Sequence, residues 1–241
     1  GDTATTTGTI DVTVGADADA DAPTLTTTPA SGLEDNAIQL DINAELTDDT
    51  ESLSISISDV PGGVRFFIVN PSGEPVEIQP DGNGDYNIPP GLFELGGEIY
   101  LLPEPDSDDD FDITVTATST TAGGDEASTT GTIHVDVAAI ADKPQLQVIE
   151  ETTGDEDTAI ALDITSALTD IDGSETLSVT ISGVPADATL SAGTDSGGGT
   201  WTLTPAQLSG LTITPKKDSD VDFTLSVTAT STESDGGDTA T

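Results

Sequence analysis

The chain has 241 residues, with 46 Asp+Glu against 4 Lys+Arg and a formal net charge of −42. A field so negative repels nucleic acid and anionic membrane surfaces, which excludes both as direct partners. The absence of cysteine excludes disulfide and thiolate chemistry, and no run approaches the ~18 apolar residues of a spanning helix, which excludes direct membrane insertion.

Extreme acidity with few aromatics is also the composition of disordered chains. Here, however, the apolar residues alternate with period two, a pattern that a disordered chain has no reason to carry. Residues 1–14 place Ile10, Val12 and Val14 on one face and match residues 124–137, so they read as the last strand of a preceding repeat. No secretory leader opens the chain, which begins in mid-module and reads as a segment of a longer protein. Residues 15–23 are an Ala/Asp linker ending in Pro23.

Residues 24–137 read as a first repeat. Leu53, Ile55 and Ile57 alternate with Ser54, Ser56 and Ser58; Phe111, Ile113, Val115 and Ala117 follow the same rule, and Ile133, Val135 and Val137 end the repeat. Asp81-Gly82-Asn83-Gly84-Asp85 reads as a Gly-rich hairpin turn, because no Glu completes it as a calcium loop. The repeat carries extra residues between Pro61 and Pro103, where Phe66, Phe67, Tyr86, Phe93 and Tyr100 read as core filling. A second short linker, 138–144, ends in Pro144 and keeps neighbouring repeats close.

Residues 145–241 read as a second repeat, with Leu177, Val179 and Ile181 on one strand and Phe223, Leu225, Val227 and Ala229 on another. Residues 205–210 allow a single helical turn, and Trp201 reads as core. Gly237-Asp238-Thr239-Ala240-Thr241 nearly repeats Gly1-Asp2-Thr3-Ala4-Thr5, so this repeat lacks its last strand. Residues 1–14 of another copy are expected to complete it head to tail; otherwise they lie loosely or pair elsewhere. Short Thr/Val/Ile strands with Gly/Pro/Asp turns give the fold class: all-β, tandem antiparallel β-sandwiches arranged end to end.

The acids recur in register. Glu34-Asp35-Asn36-Ala37-Ile38 returns as Glu156-Asp157-Thr158-Ala159-Ile160, and Asp106, Asp108 and Asp110 before Phe111 return as Asp218, Asp220 and Asp222 before Phe223. Strand direction places these at the exit end of each repeat. Asp48, Asp49 and Glu51, with counterparts Asp170, Asp172 and Glu175, fall at the entry end. Stacking the repeats brings Glu34, Asp35, Asp106, Asp108 and Asp110 to the linker residue Asp142 and to Asp170, Asp172 and Glu175. Two half-junctions remain: Asp19, Asp21, Asp48, Asp49 and Glu51 at one end, and Glu156, Asp157, Asp218, Asp220 and Asp222 at the other.

Converging carboxylates without bases push the repeats apart unless a cation sits between them. Oxygen donors with neither His nor Cys point to Ca2+ as the cofactor, and Mg2+ fits less well because it retains more water. Solvated acidic loops kept for solubility are the other reading, but that does not lead one to expect clustering at repeat ends. Lys216 and Lys217 lie beside the second exit cluster and could replace a cation there.

His134, the sole histidine, has no nucleophile elbow or oxyanion hole around it. A glycosidase pair needs one raised pKa in a cleft, whereas these acids fall in exposed loops. No phosphate-binding or dinucleotide fingerprint occurs. The chain therefore reads as non-enzymatic.

The combination Glu156-Asp157-Thr158-Ala159-Ile160, Asp170-Ile171-Asp172-Gly173-Ser174-Glu175, Asp220-Val221-Asp222-Phe223 and Val227-Thr228-Ala229-Thr230 resembles the tandem extender repeats of giant bacterial RTX adhesins, which are Ig-like or cadherin-like sandwiches. The resemblance implies type I secretion, a cell-surface location, and spacer repeats stiffened by calcium that project a distal ligand-binding region for adhesion and biofilm formation. The first repeat departs from the pattern, with Asp48-Asp49-Thr50-Glu51 in a loop two residues shorter than its counterpart. The expected partners are neighbouring repeats of the same chain; a carbohydrate- or protein-binding module centred on the longer first repeat is the alternative.

Overall fold

A computed structural model describes residues 1–13, 19–69, 73–88, 98–234 and 236–241. Two separate buried cores organise them, one drawn from residues between Ala30 and Val137 and the other from residues between Ile164 and Ala229. The first core is enclosed by β1 (Thr24–Thr27), β2 (Ala30–Leu33), β3 (Ile38–Leu40), β4 (Ile42–Glu45), β5 (Ser52–Ser58), β6 (Arg65–Val69), β7 (Pro75–Ile78), β8 (Tyr86–Ile88), β9 (Glu98–Leu102), β10 (Phe111–Thr120) and β11 (Glu126–Ala138). They form a five-stranded sheet, β2-β11-β10-β5-β8, a four-stranded sheet, β3-β9-β6-β7, and the pair β1-β4. All pairings are antiparallel except β2 with β11.

The second sandwich follows the same plan. Its strands are β12 (Gln145–Val148), β13 (Ile160–Ala161), β14 (Ile164–Ala167), β15 (Glu175–Ser182), β16 (Thr189–Leu190), β17 (Thr194–Gly197), β18 (Thr200–Leu203), β19 (Thr212–Thr214), β20 (Ser226–Glu233) and β21 (Thr239–Ala240). The sheets are β17-β18-β15-β20-β21 and β13-β19-β16, with β12 on β14. A 3₁₀ turn at Pro205–Leu208 sits where the sequence allows a single helical turn.

Alternation explains the layers, because inward side chains of facing sheets share one core while Ser and Thr face water. Ile57, Ile113, Val115, Ile133 and Val135 are all fully buried, and in register Ile113 lies opposite Ile133. The aromatics divide: Phe66 and Tyr86 are buried with ring centroids 4.6 Å apart, and the Tyr86 hydroxyl donates to the Val64 carbonyl. Phe67 and Tyr100 pair across strands on the half-buried outer face, engaged by Arg65 and Glu98 respectively. Trp201 packs at the margin of the second core. Phe93 lies outside the described residues. Phe66→Ala is expected to cost about 3–5 kcal/mol of the first sandwich's stability, read as a lower urea midpoint.

Three local expectations change. The turn at Asp81–Asp85 is tight, with Asp81 Oδ1 accepting from the Asn83 and Asp85 amides, but it is not a hairpin: β7 and β8 belong to opposite sheets. Residues 1–13 carry no strand, because an isolated strand has no ladder to satisfy its backbone; Val14 lies outside the described residues. Phe223 and Leu225 precede β20 instead of lying within it. Among the described residues no helix is long and apolar enough to cross a membrane.

Candidate metal centre between the two sandwiches

Two loops of the first sandwich build one half of the centre. Asp35 (φ 56°) follows β2 and Asp106 (φ 54°) precedes β10, both in the left-handed region that Asp tolerates. The Asp106 amide donates to Asp35 Oδ1 at 3.2 Å, which ties the loops together. Glu34 is held beside them: its amide donates to the Ala138 carbonyl at 3.0 Å, and its Oε1 accepts from the Ile140 amide at 2.7 Å. The segment leaving β11 is thus fastened to the Glu34 side chain before it reaches the second sandwich.

The other half begins at Asp142. Its amide donates to Glu175 Oε1 at 2.6 Å, and its carbonyl accepts from the Ser231 hydroxyl. The loop before β15 winds on its own carboxylates: the Asp172 amide donates to Asp170 Oδ1 and the Ser174 amide to Asp172 Oδ1. Such Asx turns explain why Asp alternates in this loop. The Ser174 hydroxyl lies 3.3 Å from both Asp170 Oδ2 and Glu233 Oε1.

Between the halves, Glu34, Asp170 and Glu233 each offer an oxygen within 4.8 Å of the others, and Asp35, Asp106 and Asp142 form a second such trio. Glu34, Asp170 and Glu233 are 0, 1 and 2% exposed. Burial, then the Asp170, Asp172 and Asp35 charges, push the Glu34 carboxyl up to about 7 against a favourable bond from Ile140. Burial likewise raises Asp106, Asp142 and Glu233, with Asp35 and Glu175 as the next causes. Asp108 is raised by burial and then by Asp172, so these two flank the trios without joining them.

Of the remaining expected residues, Glu175 is buried, and Asp110 Oδ1 accepts from the Val137 amide at the end of β11. At the entry end of the first sandwich the Asp21 amide donates to Glu51 Oε1 at 2.9 Å and Ser119 to the Asp21 carbonyl, copying Asp142, Glu175 and Ser231. Asp48 there caps the Thr50 amide, and Asp19 and Asp49 are exposed. At the exit end of the second sandwich, Asp157 (φ 58°) and Asp218 (φ 54°) repeat the loop lock at 3.0 Å. Glu156, Asp220 and Asp222 are exposed there, and Lys217 lies 3.0 Å from Asp218.

Glu233 was not among the residues the sequence singled out. Its signal is cross-strand: Glu233 stands directly opposite Glu175 in the β15–β20 register, and like charges so placed are destabilising on their own. The first sandwich has Thr121 at the matching position.

No family model matches the chain, and no curated protein matches it. Similar solved structures include cadherin-type extracellular domains and a bacterial collagen-binding subdomain. Mouse clustered PcdhgC3 EC1-3 aligns at 14% identity over 91% of this chain and 65% of that one, with a TM-score of 0.37. Drosophila N-cadherin EC1-4 aligns at 16% over 88% and 46%, with a TM-score of 0.26. ACE19, the collagen-binding subdomain of the Enterococcus faecalis surface protein ACE, aligns at 16% over 49% of this chain and 99% of that one, with a TM-score of 0.28. What the acids do therefore rests on the chain's own residues.

Those residues leave an electrostatic problem. A pair of carboxylate oxygens 4.8 Å apart repels by about 0.9 kcal/mol in water and about 3.5 kcal/mol at an effective dielectric of 20. The ion pairs among the described residues are His134–Asp112, Lys216–Asp187 and Lys217–Asp218, none of them in either trio. Glu34, Asp142, Glu175 and Glu233 each keep one buried oxygen without a hydrogen-bond partner. Buried acceptors of this kind are ordinarily satisfied. An oxygen-only, anionic donor set with unused lone pairs fits a hard divalent cation.

Proposed function

We propose that the chain is a non-catalytic extender of a secreted bacterial surface adhesin of the RTX type, in which Ca2+ stiffens the joint between consecutive repeats. The repeats are residues 24–137 and 145–241, joined by the linker 138–144 and preceded by the linker 15–23. The observation that carries the reading is the placement of Glu34, Asp170 and Glu233: buried, mutually close, and drawn from both sandwiches. Ca2+ accepts six to eight oxygens, and Glu34, Asp35, Asp106, Asp142, Asp170, Glu175 and Glu233 are the residues that would hold it, with Asp108 and Asp172 alongside. A cation there converts repulsion across the joint into attraction. Because Asp142 and Ile140 are already fastened to Glu175 and Glu34, the linker has little freedom left once the carboxylates are bridged. The half-junctions around Asp21 and Glu51, and around Asp157 and Asp218, would serve neighbouring repeats in the same way.

The burial of Phe66 and Tyr86 supports a spacer over a ligand-binding first repeat, which needs exposed aromatics in a concave patch. Extracellular location and adhesion follow from the same reading. Small-angle scattering with calcium and with chelator tests it: the expected result is a narrower distribution of interatomic distances with a longer maximum in calcium. Profiles that superimpose in the two conditions would remove the stiffening role.

A further inference from the structure

We infer that the joint sorts two divalent cations by burial. The inner trio, Glu34, Asp170 and Glu233, holds Ca2+ to the exclusion of Mg2+, while the outer trio, Asp35, Asp106 and Asp142, exchanges one ion for the other. Both assignments rest on the calcium-bridged joint proposed for the chain; the number of ions and the selectivity of each place are new.

The number of ions follows from reach. Ca2+ holds its oxygens at about 2.3–2.6 Å, so two oxygens on one ion lie at most about 5 Å apart. Each trio meets that limit within itself, its oxygens all lying within 4.8 Å of one another, and the trios have no residue in common. Even the chain neighbours Glu34 and Asp35 serve different trios. Charge agrees with two ions. Six carboxylates carry six negative charges, so one divalent cation leaves four uncompensated and two leave two. Asp170 acts on Asp106 and Asp142 as well as on Glu34, so charge left in one trio is felt in the other.

Burial sets the selectivity of the inner place. Glu34, Asp170 and Glu233 are all withdrawn from water. Glu34 Oε2 and Glu233 Oε2 are buried without a hydrogen-bond partner, as is Oε2 of Glu175 across the ladder from Glu233. A cation that satisfies them has to give up its water. Mg2+ does so reluctantly, demands a near-ideal octahedron and is ordinarily held by one or two carboxylates with several waters. Ca2+ accepts six to eight oxygens in a flexible shell. The inner carboxylates are also pinned from behind, Glu34 by the Ile140 amide and Asp170 by the Asp172 amide, so they are not free to close into a smaller octahedron.

The outer place is open. Asp35 is exposed and Asp106 and Asp142 are half-buried; within this trio, Asp142 Oδ2 is the oxygen buried without a partner. Few firmly held protein oxygens and ready access to water suit Mg2+ as well as Ca2+. Glu233 is what separates the two places. The first sandwich repeats Asp142, Glu175 and Ser231 as Asp21, Glu51 and Ser119, yet carries Thr121 in the place of Glu233. Thr therefore fits such a strand end, and the third buried carboxylate is an addition made at this joint.

Equilibrium dialysis of the whole chain against calcium, with and without a large excess of magnesium and followed by metal analysis, tests this on wild type, E233T and D35N/D106N. E233T installs the residue that the first sandwich carries at the matching position. Asn at 35 and 106 tolerates the left-handed backbone there, and its side-chain oxygen at 35 can still accept from the Asp106 amide. Unchanged circular dichroism spectra verify that both variants fold. Ions held at the half-junctions are common to all three proteins and cancel in the differences. In calcium alone, each variant is expected to bind one ion fewer than wild type. In excess magnesium, D35N/D106N is expected to retain as much calcium as wild type, and E233T one ion less. Magnesium that strips wild type and E233T to the same level overturns the selectivity, and a variant that loses both ions at once overturns the separate places. If neither variant loses calcium, no ion sits in the joint and the stiffening role falls as well. A single ion lost alike by both variants, with scattering profiles still dependent on calcium, overturns the division into two places and leaves stiffening intact.

Discussion

Chelation is expected to lower the melting temperature of the chain by about 10 °C or more relative to calcium-saturated protein. A site with a Kd of ~0.1 mM, in the range of extracellular calcium modules, adds about 2.7 kcal/mol at a hundredfold excess of ion. One kcal/mol moves the melting temperature of a domain of ~100 residues by ~4–8 °C. The direction follows from the trios: Glu34, Asp170 and Glu233 are brought together by folding and by closure of the joint, and the unfolded chain has no equivalent arrangement. An ion held by them would therefore bind the folded state preferentially, which is the condition for stabilisation. Differential scanning calorimetry across a calcium titration checks it. A melting temperature indifferent to calcium would mean that the buried oxygens of Glu34, Glu175 and Glu233 are satisfied in some other way.

The sheets were legible because their signal is local. Alternation in Leu53–Ser54–Ile55–Ser56–Ile57 fixes which face is buried without reference to any partner, and the repeat confirmed it in Leu177, Val179 and Ile181. Much of the joint was legible for a related reason: strand direction alone sends Glu34 and Asp106 to one end and Asp170 to the other. Glu233 was not, because its role comes from standing across a ladder from Glu175, and no repeat marked it, since Thr121 occupies the matching place. Asp110 shows the same limit: its position in the loop resembles that of Asp106, and only the fold reveals that the Val137 amide donates to its Oδ1. The turn at Asp81 also looked complete in itself, while whether it joins strands of one sheet or two is set by β5, which pairs with β8 from a distance in sequence.

Neutralising two of the three buried carboxylates, Glu34 and Glu233, is expected to have an effect on stability whose sign changes with calcium. In E34Q/E233Q the side-chain carbonyl introduced at position 34 can still accept from the Ile140 amide, as Glu34 Oε1 does at 2.7 Å, while two negative charges leave the joint. In chelator, where repulsion is uncompensated, the variant should be more stable than the wild type, by roughly the few kcal/mol that close carboxylates cost at intermediate dielectric. In calcium it should be less stable, because an amide oxygen binds the ion more weakly than a carboxylate. The pH dependence carries the same sign. Burial raises the Glu34 carboxyl from 4.5 to about 7, so between those values the metal-free folded state holds a proton that the unfolded state has lost. Stability of the chelated wild type must then fall as pH rises through that window, levelling above it. Asp106, Asp142 and Glu233 are shifted the same way and deepen the fall. Calcium competes with those protons and reverses the slope, since each ligand must be ionised to bind. Urea midpoints for wild type and E34Q/E233Q, taken from about pH 4 to 8 with and without calcium, read all of this together. A variant that is less stable in both conditions would show that Glu34 and Glu233 act through packing and hydrogen bonds, not through charge held for a cation.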